Sequence, residues 1–188
     1  VLSKYFAGHD LAALDERARE HGPAATVVYP LTSEGERFPF ARSDAQGFGL
    51  DGPESEVERY RAVLEGVAFT EKLCFVYLES LGARVSGPVA LTGGGTNSRL
   101  WSQLRADVLG LPVVIPGSAE PAVGMAILAR AGTGSVAEAA ARMIRDSSRI
   151  EPDEAGREQL AENFDRFVTA LVERGYASAD LARRARSA

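Results

Sequence analysis

Three consecutive glycines, Gly93-Gly94-Gly95, stand between a short apolar run, Val89-Ala90-Leu91, and a helical pattern that begins within a few residues. No other stretch of the chain limits its fold as much. A strand feeding a helix through a glycine turn implies an α/β layout. It also brings bare backbone N–H groups and the positive end of a helix dipole to one point, which is a generic site for an anion such as phosphate. A tight strand-to-helix turn in an ordinary α/β domain leaves the same pattern. Two glycines suffice for such a turn, and each further one costs folding entropy. The third therefore needs a reason of its own.

The flanking segments agree with layered α/β architecture. From Ser55 to Leu81 nothing interrupts a helix except Gly66. Val63, Leu64, Val67, Cys74, Phe75, Leu78 and Leu81 recur at helical spacing, with Gly82 as the C-cap. Beyond the glycines, Leu100, Trp101, Leu104, Val108 and Leu111 mark a helix that Gly110 and Pro112 end, and residues 112–116 read as a short buried strand. Further helices are expected over about residues 10–21 with Asp10 as N-cap, over 121–130 with small residues for close packing, over 135–145, and after Asp153. Ile150 falls in an extended link. Short apolar pieces at 25–30, 38–40 and 46–50 suggest the strands of a meander, and residues 177–188 read as a loosely held tail.

Totals exclude several functions. At 188 residues the chain suffices for one domain with a real core, and 45% hydrophobic with 25% charged residues is a globular composition. A net charge of −5 argues against a nucleic-acid surface. No segment approaches the ~18 unbroken apolar residues of a membrane span. Cys74, the single cysteine, rules out an internal disulfide and suits a reducing cytoplasm. The start Val1-Leu2-Ser3-Lys4 has no signal-peptide pattern and no Met, so the chain reads as a piece of something longer.

Most catalytic patterns are missing. There is no G-x-S-x-G elbow, no C-x-x-C or H-E-x-x-H spacing and no Walker motif. His9 and His21 lie in or beside a charged helix and read as solvated, and Cys74 reads as core. The dinucleotide pattern G-x-G-x-x-G also fails, because its last position, counted from Gly93, is Ser98. A nucleotide phosphate or sugar at the glycines is what remains. Ser98 would serve as N-cap, as ligand contact, or as both.

The run from Leu91 to Val113 (LTGGGTNSRLWSQLRADVLGLPV) resembles the adenosine motif of the FGGY carbohydrate kinases. Three further pieces agree in order. Tyr29-Pro30 with Gly35-Glu36-Arg37-Phe38-Pro39 is similar to that family's proline and G-E-R-x-P segment. Residues 61–69 match its R-A-x-x-E-G-x-A-F helix, and residues 120–126 its E-x-x-x-G-x-A helix. The resemblance covers about residues 26–135 and is specific in combination.

It implies the carboxy-terminal domain of a two-domain sugar kinase of the actin-like, ribonuclease-H-like fold, with a mixed sheet flanked by helices. It also implies ATP with Mg2+ as cofactor, the metal's ligands lying in an amino-terminal domain absent here. Gly94 and Gly95 would approach the phosphates with Thr96 beside them, Gly93 belongs to the same cofactor-binding set, and Ser98 matches the position that reaches the adenine side. The family's catalytic Asp belongs to the absent half, so no catalytic residue is expected here, and Asp107 is read as capping or structural. Glu36, Arg37, Glu65 and Glu120 are left between structural and cleft roles. The implied partners are ATP or ADP, a small sugar of the xylulose, ketose or polyol type, the amino-terminal domain, and a second copy in a homodimer. The piece alone is expected to be inactive. The competing reading is a non-catalytic module of the same superfamily that binds nucleotide or a protein.

Overall fold

The structure is a computed structural model that describes residues 1–118 and 120–188. At its centre lies the long helix foreseen from the sequence, α3 (Glu56–Ser80), opened by Ser55, whose hydroxyl accepts the Glu58 N–H. Before it come α1 (Leu2–Tyr5) and α2 (Leu11–His21), the latter capped by Asp10 as expected. After it follow β1 (Val89–Ala90), a 3-10 turn (Gly94–Asn97), α4 (Arg99–Leu109) and β2 (Val113–Pro116). The chain continues through α5 (Pro121–Ala131), α6 (Val136–Met143), β3 (Asp146–Ile150), α7 (Glu154–Glu173) and α8 (Ala179–Ser187).

The strands form a mixed sheet ordered β1-β2-β3. The β1–β2 pair is parallel, as a helical crossover requires, and β3 runs antiparallel to β2 with Val113 opposite Ile150. The link expected at Ile150 is thus the end of an edge strand.

Two apolar clusters hold the layers together. The larger joins α2, α3, α4, α7 and α8 around Tyr60, Leu64, Phe69, Phe167 and Leu171. The smaller puts Leu91, just past β1, and Val113 of β2 against Ala106 of α4. Across its first half α3 is buried on nearly every side rather than along one stripe. Its last turn projects beyond the layer, so Leu78 and Leu81, expected on the core face, are exposed.

The meander is not there. Residues 24–50 contain only isolated bridges among the described residues, Tyr29 opposite Phe48 and Glu36 opposite Arg42. Side chains supply the backbone partners that a sheet would have supplied. Glu65 accepts the Ala24 N–H (3.0 Å), Glu58 accepts the Thr26 N–H (2.9 Å), Asn163 donates to the Ala24 carbonyl (2.7 Å) and Arg166 to that of Ala25 (2.9 Å). The segment thereby lies directly on α3. At the crossing, a Cβ on Gly66 would sit 2.1 Å from the Val28 carbonyl oxygen. That contact explains a glycine inside the helix.

Two other expectations change. The tail is not loose: Ser178 caps α8, and Leu181, Ala182 and Ala185 of that helix are buried in the main core. Conversely, α5 is not closely packed. It rests on α6 with Ile127 buried, while Met125 and Leu128 are 66% and 51% exposed.

Candidate functional site

The glycine turn is anchored at both ends. Leu91, buried under the sheet, donates its N–H to the Val114 carbonyl (2.8 Å). At the other end Ser98 takes extended backbone geometry, and its hydroxyl accepts the Trp101 N–H (2.9 Å). Between them Thr96 closes the loop on Gly93, donating from its backbone N–H (3.1 Å) and its hydroxyl (2.8 Å) to the Gly93 carbonyl.

The three glycines have different reasons to be glycine. Gly93 has φ of 85°, in the left-handed region that side chains rarely adopt. Gly95 has ordinary backbone, but a Cβ there would lie 2.8 Å from Cζ3 of Trp101, whose ring is packed against the turn. Gly94 has neither constraint: its φ is not positive, and an added Cβ would meet nothing within 4 Å. Nothing among the described residues requires a glycine at 94.

Gly93 and Gly94 are exposed, and Gly95 and Thr96 half-buried. No hydrogen bond among the described residues engages the N–H of Gly94 or Gly95. Arg99, the first residue of α4, is exposed with no ion pair among those residues. Two unspent amides thus stand just before the start of a helix whose first residue is an exposed arginine, donors of a kind that fits phosphate oxygens. Ser98 is only 8% exposed, and its hydroxyl is occupied as the helix cap.

The remaining candidate residues lie elsewhere. Asp107 is buried and accepts from the Asp153 N–H and from Gln103, both at 2.8 Å, tying α4 to the start of α7. Burial raises its pKa above the usual carboxylate value, and the two hydrogen bonds oppose that shift. Glu36 binds its own turn, accepting the Arg37 N–H (2.9 Å) and the Tyr29 hydroxyl (2.6 Å). Arg37 and Glu120 are exposed, and Glu120 starts α5 without a side-chain cap. Glu65 is buried, where it accepts the Ala24 N–H. His9 and His21 pair with Glu56 and Glu58. A cavity of about 420 Å³ lined by Phe69, Lys72, Val108 and Phe164 lies between α3, α4, α7 and α8, away from the glycine turn. Trp101 is what the sequence reading missed. Its apolar character marked it as core, and only the fold brings its ring under Gly95.

A mixed sheet flanked by helices, with a glycine turn between a strand and an amphipathic helix, is the carboxy-terminal architecture of kinases with the actin-like ATPase fold. Residues 5–132 match the FGGY family of carbohydrate kinases, C-terminal domain, and the chain belongs to that family.

Among similar proteins, the xylulose kinase of Bacillus subtilis (strain 168) is 30% identical over 147 residues, which cover 75% of this chain and 29% of that protein. The autoinducer-2 kinase of Escherichia coli (strain K12) is 30% identical over 162 residues, 82% of this chain and 31% of that protein. The crystal structure of xylulose kinase from Rhodospirillum rubrum superposes with a TM-score of 0.71 at 28% identity, covering 92% of this chain and 36% of that one. The chain thus spans about a third of the length of the relatives it matches.

Proposed function

We propose that this chain is the nucleotide-binding part of an ATP-dependent carbohydrate kinase, which transfers the γ-phosphoryl group to a hydroxyl of a sugar of the xylulose, ketose or polyol type. The observation that carries this reading is Gly94. Gly93 is needed for backbone geometry and Gly95 for Trp101, so a glycine at 94 is best explained by an outside group that must come close to the backbone.

The reaction fits such a surface. Phosphoryl transfer needs little covalent help from protein. It needs phosphates that are held in line and whose charge is stabilised. ATP supplies the phosphoryl group and a divalent metal neutralises part of its charge. The N–H groups of Gly94 and Gly95 donate to phosphate oxygens, and Arg99 adds positive field. Thr96 fixes the turn so that these donors are in place before the ligand arrives. The base that activates the sugar hydroxyl and the ligands of the metal are assigned to the rest of the enzyme. Xylulose kinases among the similar proteins support the ketose reading.

The test is calorimetric titration with ADP. The wild-type chain binds, and Gly94→Val abolishes binding while the far-ultraviolet circular dichroism and melting curve stay unchanged, because a Cβ at this position meets no atom of the described residues within 4 Å. Equal ADP affinity in the variant would reduce the glycines to a turn. The chain alone turns over no sugar, and phosphorylation of a sugar panel by the full-length enzyme identifies the acceptor.

A further inference from the structure

Trp101 is held in a costly way. Its indole N–H is buried and has no hydrogen-bond partner among the described residues. Leaving such a donor unmade costs free energy that a phenylalanine or leucine would not cost. The benzo edge of the same ring packs against Gly95, with Cζ3 and Cε3 2.8 and 3.0 Å from where a Cβ would stand. The backbone N–H of Trp101 is held by the hydroxyl of Ser98, so the first turn of α4 fixes the ring's origin. The ring meets one end of the glycine turn while its body packs on the main core.

We infer that Trp101 is a positioning residue: its indole ring buttresses Gly95 and holds the Gly94–Asn97 turn in the one conformation that presents the Gly94 and Gly95 amides to a nucleotide. The inference rests on the reading of that turn as a nucleotide site. The physical reason is that a turn of small residues is not stiff. A Cβ on Gly94 would meet nothing among the described residues, and beyond the 3-10 bonding of the turn itself the loop is closed by the two bonds from Thr96 and by the Ser98 N–H to the Gly95 carbonyl (3.2 Å). Without a rigid face beneath Gly95, the amides would sample many directions, and ordering them would oppose binding. The flat ring removes that freedom in advance, and only glycine lets the backbone lie this close to it.

A double-mutant cycle in ADP affinity tests this, supported by amide hydrogen exchange at Thr96 and Ser98 in the nucleotide-free chain. Trp101→Leu is expected to speed exchange at both amides and weaken ADP binding about tenfold, while Gly95→Ala weakens it by a similar factor because its methyl strikes the ring. In the Trp101→Leu background the Gly95→Ala effect should shrink to less than about threefold, since the obstacle is gone. Because Trp101 is the only tryptophan, its emission should also shift as ADP binds the wild type. If Trp101→Leu does not fold, Trp101→Phe and the Gly95→Ala variant give the same comparison.

Unchanged exchange and unchanged ADP affinity in Trp101→Leu, with ADP still bound by the wild type, would overturn the positioning role and leave the nucleotide site standing. Additive effects in the cycle would overturn it too. No ADP binding by the wild type would remove the nucleotide reading itself, and the inference with it.

Discussion

Arg61 Nε lies 2.6 Å from Glu65 Oε1 one turn further along α3, with the two residues only 6% and 2% exposed. Both belong to the R-A-x-x-E-G-x-A-F stretch, and neither reaches the glycine turn. Arg61 also donates to the Ala18 carbonyl (3.3 Å), and Glu65 accepts from Ala24 N–H (3.0 Å) and from Asn163 (3.2 Å). One ion pair thus joins α2, α3, α7 and the segment before Tyr29.

Removing one member of a buried pair leaves the other charged and unmatched, which costs about 3–5 kcal/mol. Arg61→Met should therefore lower stability by about that much in urea denaturation, and adding Glu65→Gln should recover part of the loss by removing the stranded charge. A loss below about 1 kcal/mol would mean that the pair does not hold the segments together.

At Gly66 two effects compete. Alanine gains about 1 kcal/mol of helix propensity over glycine. Its methyl, however, would stand 2.1 Å from the Val28 carbonyl oxygen, a backbone atom. The strain wins, and Gly66→Ala should destabilise the chain by about 2 kcal/mol net, as overpacked cores do. Thermal unfolding reads the sign directly.

Cys74 has its pKa pushed up to about 11 from the ordinary thiol value of 9.0, first by burial and then by the charges of Glu36 and Glu71. At pH 8 its thiolate fraction should be about 100-fold below that of an unperturbed thiol, with alkylation slowed accordingly. The rate should climb until pH passes about 11. The folded state holds this proton more tightly than the unfolded one, so this group's contribution to stability falls as pH rises from 9.0 to about 11. Iodoacetamide labelling against pH measures the rate, and labelling at the free-thiol rate at pH 8 would contradict the burial.

Leu181 decides whether the last helix belongs to the fold. It is buried in the main core with Ala182 and Ala185. Leu181→Ala should cost about 2–3 kcal/mol, the usual result of opening a cavity in a packed core. A loosely held tail would show no change in urea midpoint.

Much of this was legible in the linear pattern because it depends on near neighbours. Helices α2, α3, α4 and α7 announce themselves through periodic apolar residues, and three of them through the caps Asp10, Ser98 and Asp153 as well. The strand–glycine–helix junction is equally local, and together with the motifs around residues 61–69 and 91–113 it pointed to the family. The region 24–50 was misread because short apolar pieces look like strands whichever partner satisfies their backbone. Here those partners are Glu58, Glu65, Asn163 and Arg166, up to 141 positions away.

The glycine turn divides along the same line. The sequence alone determined that a strand meets a helix through a flexible anion-friendly turn, since backbone freedom at glycine and the dipole of the following helix are properties of adjacent residues. Only the tertiary structure decided which of the glycines the fold itself requires. Gly93 follows from its φ and Gly95 from the ring of Trp101, while a Cβ on Gly94 would meet nothing among the described residues, and a contact distance or its absence exists only once the chain is folded.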